Sequence, residues 1–193
     1  MRTSRIFRLL FQVFITLLTL SVTVISILGG MSAFIILTNT ENIGIGTDDA
    51  DFNISFNMTG GLQNANFTLP FNITNAGYFD IENLQIRAEF KMNYSHVDYP
   101  ILGVNGTRTS KKIFEKTFDG IDDIPKGSTG YFNLTGLFGD FLPGNFPNIT
   151  NIDIFKTPPI FEFYANLTVS LDYSLGMHSI TIYILNLKIG ELP

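Results

Sequence analysis

The chain has 193 residues, no cysteine and a formal net charge of −5. Without cysteine there are no disulfides and no thiolate metal ligands, so burial alone must hold any exported part together. The acidic balance, with no basic patch to break it, argues against a nucleic-acid-binding surface.

The N-terminus, residues 1–8, is basic, with Arg2, Arg5 and Arg8. Leu9 to Leu37 then reads LLFQVFITLLTLSVTVISILGGMSAFIIL, 29 residues without Asp, Glu, Lys, Arg or His. A bilayer core about 30 Å thick needs roughly 20 apolar helical residues. This run, at about 1.5 Å per residue, reaches roughly 44 Å, so it spans with tilt or continues as a helix beyond the membrane. The first 40 residues carry three Arg and no acid, and the other nine Lys or Arg face all 17 acids. Positive charge stays inside, which predicts a cytoplasmic N-terminus and an extracytoplasmic remainder. A cleaved signal has a shorter apolar core and a small-x-small site. Cleavage after Ala33 or Gly30 would put Met31 or Leu28 at the −3 position, so the expectation is an uncleaved, single-pass signal anchor over residues 9–37. Gly29-Gly30 is given no function, because such pairs are tolerated in membrane helices.

Residues 38–50 read as a polar linker and residues 51–193 as one extracytoplasmic domain. Its Phe, Ile, Thr and Asn content is strand composition. Period-two alternation marks Asp51–Met58, Asn66–Thr74 and Leu84–Asn93 as half-buried strands, with Pro70 on an outward phase suggesting an edge or bulge. Asn75-Ala76-Gly77 is a turn. Asn105-Gly106 is a hairpin signal joining Tyr99–Val104 to Thr107–Phe118. Gly120 to Gly127 reads as a loop, Thr129–Leu137 as a strand, and Gly136 to Pro159 as irregular with a short helical turn. Phe161–Tyr173 and His178–Ile189 form a closing hairpin. The expected fold is all-β: an antiparallel sandwich of seven or eight strands preceded by one transmembrane helix. A cysteine-free exported domain of this kind fits a prokaryotic or archaeal surface protein.

The sharpest chemical signal is the glycosylation sequon Asn-x-Ser/Thr. It begins at Asn53, Asn57, Asn66, Asn72, Asn93, Asn105, Asn133, Asn148 and Asn166, nine times. The chain's own Asn, Ser and Thr content would give about 2.6 at random. None precedes the apolar run. Asn105 and Asn148 fall in turns and the other seven on the polar phase of expected strands. A glycan must face solvent, so this phase favours glycosylation over asparagines that merely fill outward positions.

Three segments together resemble the LEA-2 domain, the group 2 late-embryogenesis-abundant or water stress and hypersensitive response family. They are LPFNITNAGYFDIENLQI (Leu69 to Ile86), PKGSTGYFNL (Pro125 to Leu134), and LTGLFGDF with FEFYANLTVSLDY and HSITIYI. The resemblance covers about Ala50 to Pro193, and the family's Asn-Pro is Asn75-Ala76 here, with Gly77 as an alternative turn residue. It implies an immunoglobulin-like sandwich without catalytic residues, tied to stress tolerance, membrane-surface roles and lipid contact.

Candidate sites are few. His96 and His178 read as ordinary histidines, and no G-x-S-x-G accompanies them. Asp48-Asp49-Asp51 and Asp119, Asp122 and Asp123 are hard-oxygen clusters without an EF-hand pattern, better read as solvated turns than as a metal site. No cofactor fingerprint occurs. Phe138, Phe141 and Phe146 are too apolar for a polar loop; they cover an open sandwich end or line an apolar groove for a lipid or partner. The expectation is a non-catalytic, single-pass surface domain that binds or shields near the membrane. Its rivals are a lipid-handling domain and a pilin-like filament subunit, though Arg8-Leu9 does not match a prepilin processing site.

Overall fold

The computed structural model describes residues 2–47, 49–56, 62–96, 107–148, 152–153, 160–173 and 176–192. One long helix, α1 (Arg2–Thr38), leads into eight strands: β1 (Ile43–Ile45), β2 (Asp51–Phe56), β3 (Leu62–Thr74), β4 (Ile81–His96), β5 (Thr107–Phe118), β6 (Thr129–Gly136), β7 (Phe161–Tyr173) and β8 (His178–Leu192). They form two four-stranded antiparallel sheets. In the first, β3 pairs with β6 along one edge and with β1 and β2 in succession along the other. The second runs β5-β4-β7-β8.

The alternation of the sequence becomes the two faces of each sheet. Phe67, Leu69, Phe71 and Ile73 of β3 turn inward against Ile86, Phe90 and Met92 of β4 and Phe163, Leu167 and Val169 of β7. The sheets lock through aromatic rings: Phe67 meets Phe90 edge-on at 4.4 Å, and Phe52 lies 4.6 Å from Phe163. Such pairs add about 0.5–1.5 kcal/mol beyond area burial.

Pro70 sits inside β3, opposite Asn133 of β6. β1 ends at the Ile45–Phe71 pair and β2 begins at Asp51–Thr68, leaving a gap in the ladder beside Pro70. The Pro70 carbonyl points into that gap, where it accepts the Gly46 N–H at 2.9 Å. A strand residue's N–H and C=O point the same way, so the donor that Pro70 lacks is missing where no strand needs it.

Residues 38–50 depart from the expected linker. They hold a 3-10 turn (Thr40–Asn42) and β1, which adds to sheet one opposite Phe71–Ile73. The pattern Ile43-Gly44-Ile45 is too short to read as a strand by periodicity, and its pairing is supplied wholly by β3. The Gly136–Pro159 stretch contains two 3-10 turns, Phe138–Asp140 and Pro143–Asn145. The expected strand Tyr99–Val104 and the Asn105-Gly106 hairpin signal lie outside the described residues.

α1 has one apolar run long enough to cross a membrane, Ile6–Thr38, 33 residues, within which an 18-residue stretch has mean hydropathy 2.2. Thr16, Thr19, Ser21 and Thr23 donate their hydroxyls to carbonyls one turn back, at 2.8–2.9 Å. Polar side chains on an apolar helix are thereby satisfied without partners or water.

Candidate functional site

The last turns of α1 do not stand free of the sheets. Gly29, Ser32 and Ile36, spaced three and four apart, are buried on the face toward the β domain. The Ser32 hydroxyl donates to the Leu28 carbonyl at 2.8 Å and accepts the Tyr78 N–H at 2.9 Å. The Asn42 side chain donates to the Ile35 carbonyl at 3.2 Å, satisfying one of the acceptors left open where a helix ends. Ser26 lies 3.4 Å from the His178 ring nitrogen.

Behind Ser32 lies a buried polar hub. Asn75 is fully enclosed, and its side-chain amide donates to the Phe79 and Ile124 carbonyls at 2.9 and 2.8 Å. Its carboxamide oxygen accepts the Gly77 N–H at 3.1 Å and the Tyr173 hydroxyl. Its backbone bonds to Ser128 and Gly127 at 2.9 and 2.8 Å. Every polar atom of Asn75 is therefore used, the condition under which a buried amide stabilises rather than costs. One residue ties β3, the turn 75–80, the loop before β6 and the end of β7 together. Burial, and then the Asp80 carboxylate, push the Tyr173 phenol up to about 12. A Cβ on Gly77 would collide with the Tyr173 hydroxyl and come within 2.8 Å of the Ser32 Cβ, so only glycine lets helix and hub approach. The sequence marked Asn75-Ala76-Gly77 as a turn; nothing in its pattern showed Ser32 or Tyr173 as partners.

Among the sequon asparagines, Asn53, Asn133 and Asn148 are exposed and Asn66, Asn72, Asn93 and Asn166 are half-buried. Asn57 and Asn105 lie outside the described residues. Asn53, Asn66, Asn72 and Asn133 share the outer face of the first sheet, with Asn53 directly opposite Asn66. Two are already engaged: Asn72 accepts the Gly44 N–H at 3.2 Å, and Asn166 accepts the Asn186 N–H at 2.8 Å. The outer face of the second sheet is charged instead, with Lys112 bonded to Glu115 at 2.5 Å and Glu115 also paired with Arg87. Those two cations hold the Glu115 carboxyl below its ordinary range, Lys112 contributing most.

Phe138, Phe141 and Phe146 do not share one surface. Phe141 is buried against Phe114 at 5.2 Å, Phe146 packs behind it at 6.2 Å, and Phe138 is exposed beside Leu137. An open depression of about 510 Å³ lies between the end of β5 and β6, bordered by Lys116, Phe118, Asp122, Tyr131 and Asn133. His96 and His178 are at opposite ends of the second sheet, near the Phe161 and Tyr173 ends of β7. Among the described residues no three His, Asp or Glu side chains are placed to share a metal ion; Asp48 is not among them.

No family model and no curated protein matches the chain. Among solved structures, the Northeast Structural Genomics Consortium target SoR45 is similar at 10% identity and TM-score 0.36, over 77% of this chain and 86% of its own. Spo0M, a sporulation control protein from Bacillus subtilis, is similar at 17% identity and TM-score 0.28, over 75% of this chain and 49% of its own. Neither likeness is strong enough to bring a fold or a role with it. What stands is an apolar helix able to cross a membrane, followed by a two-sheet β domain, in a membrane-associated protein.

Proposed function

We propose that this protein is a single-pass, membrane-anchored surface domain of the immunoglobulin-like, LEA-2-like kind. Its N-terminus is cytoplasmic and its β domain extracytoplasmic, glycosylated, and active in binding or shielding rather than catalysis. The observation that carries this reading is the placement of the sequons. Seven of the nine lie in described residues and none of the seven is buried, although strands bury every second side chain. Glycans on Asn53, Asn66 and Asn133 would cover the outer face of the first sheet, and one on Asn133 would stand at the mouth of the β5–β6 depression. That arrangement suits a coat better than a small-molecule site. The aromatic packing around Phe67 and Phe141 fills the interior that a lipid-handling domain would need open, which favours shielding over lipid handling.

Intact mass of the chain purified from its own membranes tests the reading. A ladder of masses above 21.6 kDa, collapsing on chemical deglycosylation, is the expected result. A single unmodified mass overturns the glycan coat. Survival of the C-terminal part when intact cells are treated with protease overturns the orientation.

A further inference from the structure

The membrane does not account for the whole of α1. Twenty helical residues from Leu9, the first after Arg8, rise about 30 Å and fill a bilayer core by Leu28. From about that level upward the helix meets the β domain, at Ser26 beside His178 and at Ser32 beside Tyr78. The side of the helix turned away from the sheets nevertheless stays apolar and open: Ile27, Met31 and Phe34 are 58%, 49% and 68% exposed. They point about 180° from Gly29, Ser32 and Ile36, at about 100° per residue.

These three residues continue a pattern that begins lower down. Leu10, Val13, Leu17, Leu20 and Val24 precede them at alternating steps of three and four, all exposed. Every other register of the same spacing meets Gln12, Thr16, Thr19, Ser21 or Gly29. A three-four repeat kept apolar for more than three heptads is the seam of a coiled coil. Within the bilayer lipid can cover such a seam, since lipid tails are as apolar as leucine. Its upper part, Met31 and Phe34, rises past that level on the side away from the sheets, where a matching cover is another apolar helix end at the same height. A second copy of this chain, inserted the same way up, offers that surface, and its β domain lies on the far side of its own helix.

We infer that α1 pairs in parallel with α1 of another copy through the seam that ends at Ile27, Met31 and Phe34, so that the β domains are displayed outward from a shared helical stalk. This rests on reading α1 as a membrane span. The chain has no cysteine, so single-cysteine variants report contacts cleanly. In the full-length chain in its own membranes, Ile27→Cys and Phe34→Cys are expected to form disulfide-linked pairs on mild oxidation, several-fold more than Ser26→Cys on the flank facing His178. Equal cross-linking at all three positions, or none at the seam, overturns the pairing. A nitroxide on Phe34→Cys in phosphatidylcholine vesicles gives the second measurement. Shielding from both oxygen and a water-soluble nickel chelate is expected; strong oxygen collision typical of bilayer depth means lipid covers the seam and overturns the pairing. Recovery of the unmodified chain in the soluble fraction instead removes the membrane span itself, an outcome distinct from loss of pairing alone.

Discussion

The Tyr173 hydroxyl donates to the carboxamide oxygen of Asn75, across 98 residues of sequence and between the two sheets. The same oxygen accepts the Gly77 N–H, and the next residue, Tyr78, donates to Ser32 of the helix. The apolar helix and the β domain are therefore joined by a run of buried and half-buried hydrogen bonds, as well as by the peptide that links them. A domain held this way has a defined attitude to the helix rather than a tethered one.

Asn75→Ala removes the amide donor to the Phe79 carbonyl and leaves the Tyr173 hydroxyl and the Gly77 N–H without their acceptor, while the Ile124 carbonyl keeps the Ile81 N–H. Each buried group left unpaired costs about 1–3 kcal/mol. Tyr173→Phe removes one bond and retains the ring, at about 1 kcal/mol. Denaturant titration of the detergent-solubilised chain is expected to rank Asn75→Ala well below Tyr173→Phe. Equal losses would mean the amide is not the hub.

The phenol also fixes an alkaline limit. Its pKa is raised in the folded chain to about 12, so the folded state resists ionisation that the unfolded chain undergoes near the ordinary value of 10. The stability this group contributes is complete below pH 10 and is lost as pH rises toward 12. A melting temperature that falls over this window in the parent chain, and falls less in Tyr173→Phe, is the expected outcome.

Gly77→Ala places a methyl group against the Tyr173 hydroxyl and Ser32. Overpacking of this kind costs about 1–3 kcal/mol. The strain is relieved most easily by lifting the helix, because α1 packs sparsely against the strands while Tyr173 is paired on both sides within the second sheet. Hydrogen exchange is expected to accelerate at Tyr78 and over residues 26–38 while the centre of β4 and β7 stays protected.

Sequon use should follow access. A Cβ on Gly44 would lie 2.8 Å from the Asn72 Cγ, so β1 lies directly over that side chain, whereas Asn133 and Asn53 are open. Peptide mapping is expected to find Asn53 and Asn133 occupied and Asn72 bare in the folded protein. Asn133→Gln should remove one glycan mass with a stability change under about 0.5 kcal/mol, as for an ordinary surface exchange.

The sequence by itself determined the long apolar helix, the strand-rich remainder and the inward phase of the strands over residues 51–56, 66–74 and 84–93, because helix length and period-two alternation are local properties. The same periodicity breaks at two bulges. Ile180, Ile182 and Ile184 change phase to Leu187 and Ile189 around Asn186, whose φ of 56° marks a bulge opposite Ala165–Leu167. Ile81 steps to Leu84 across Asn83, with φ 50°, for the same reason. Only the tertiary structure decided that Ile43–Ile45 is a strand, that Pro70 fits a gap in the ladder, and that Ser32, Gly77, Asn75 and Tyr173 meet. Those facts depend on which distant segments become neighbours when the two sheets close on each other. A single buried amide records that closure only after its partners, scattered from Ser32 to Tyr173, have been brought within hydrogen-bonding reach.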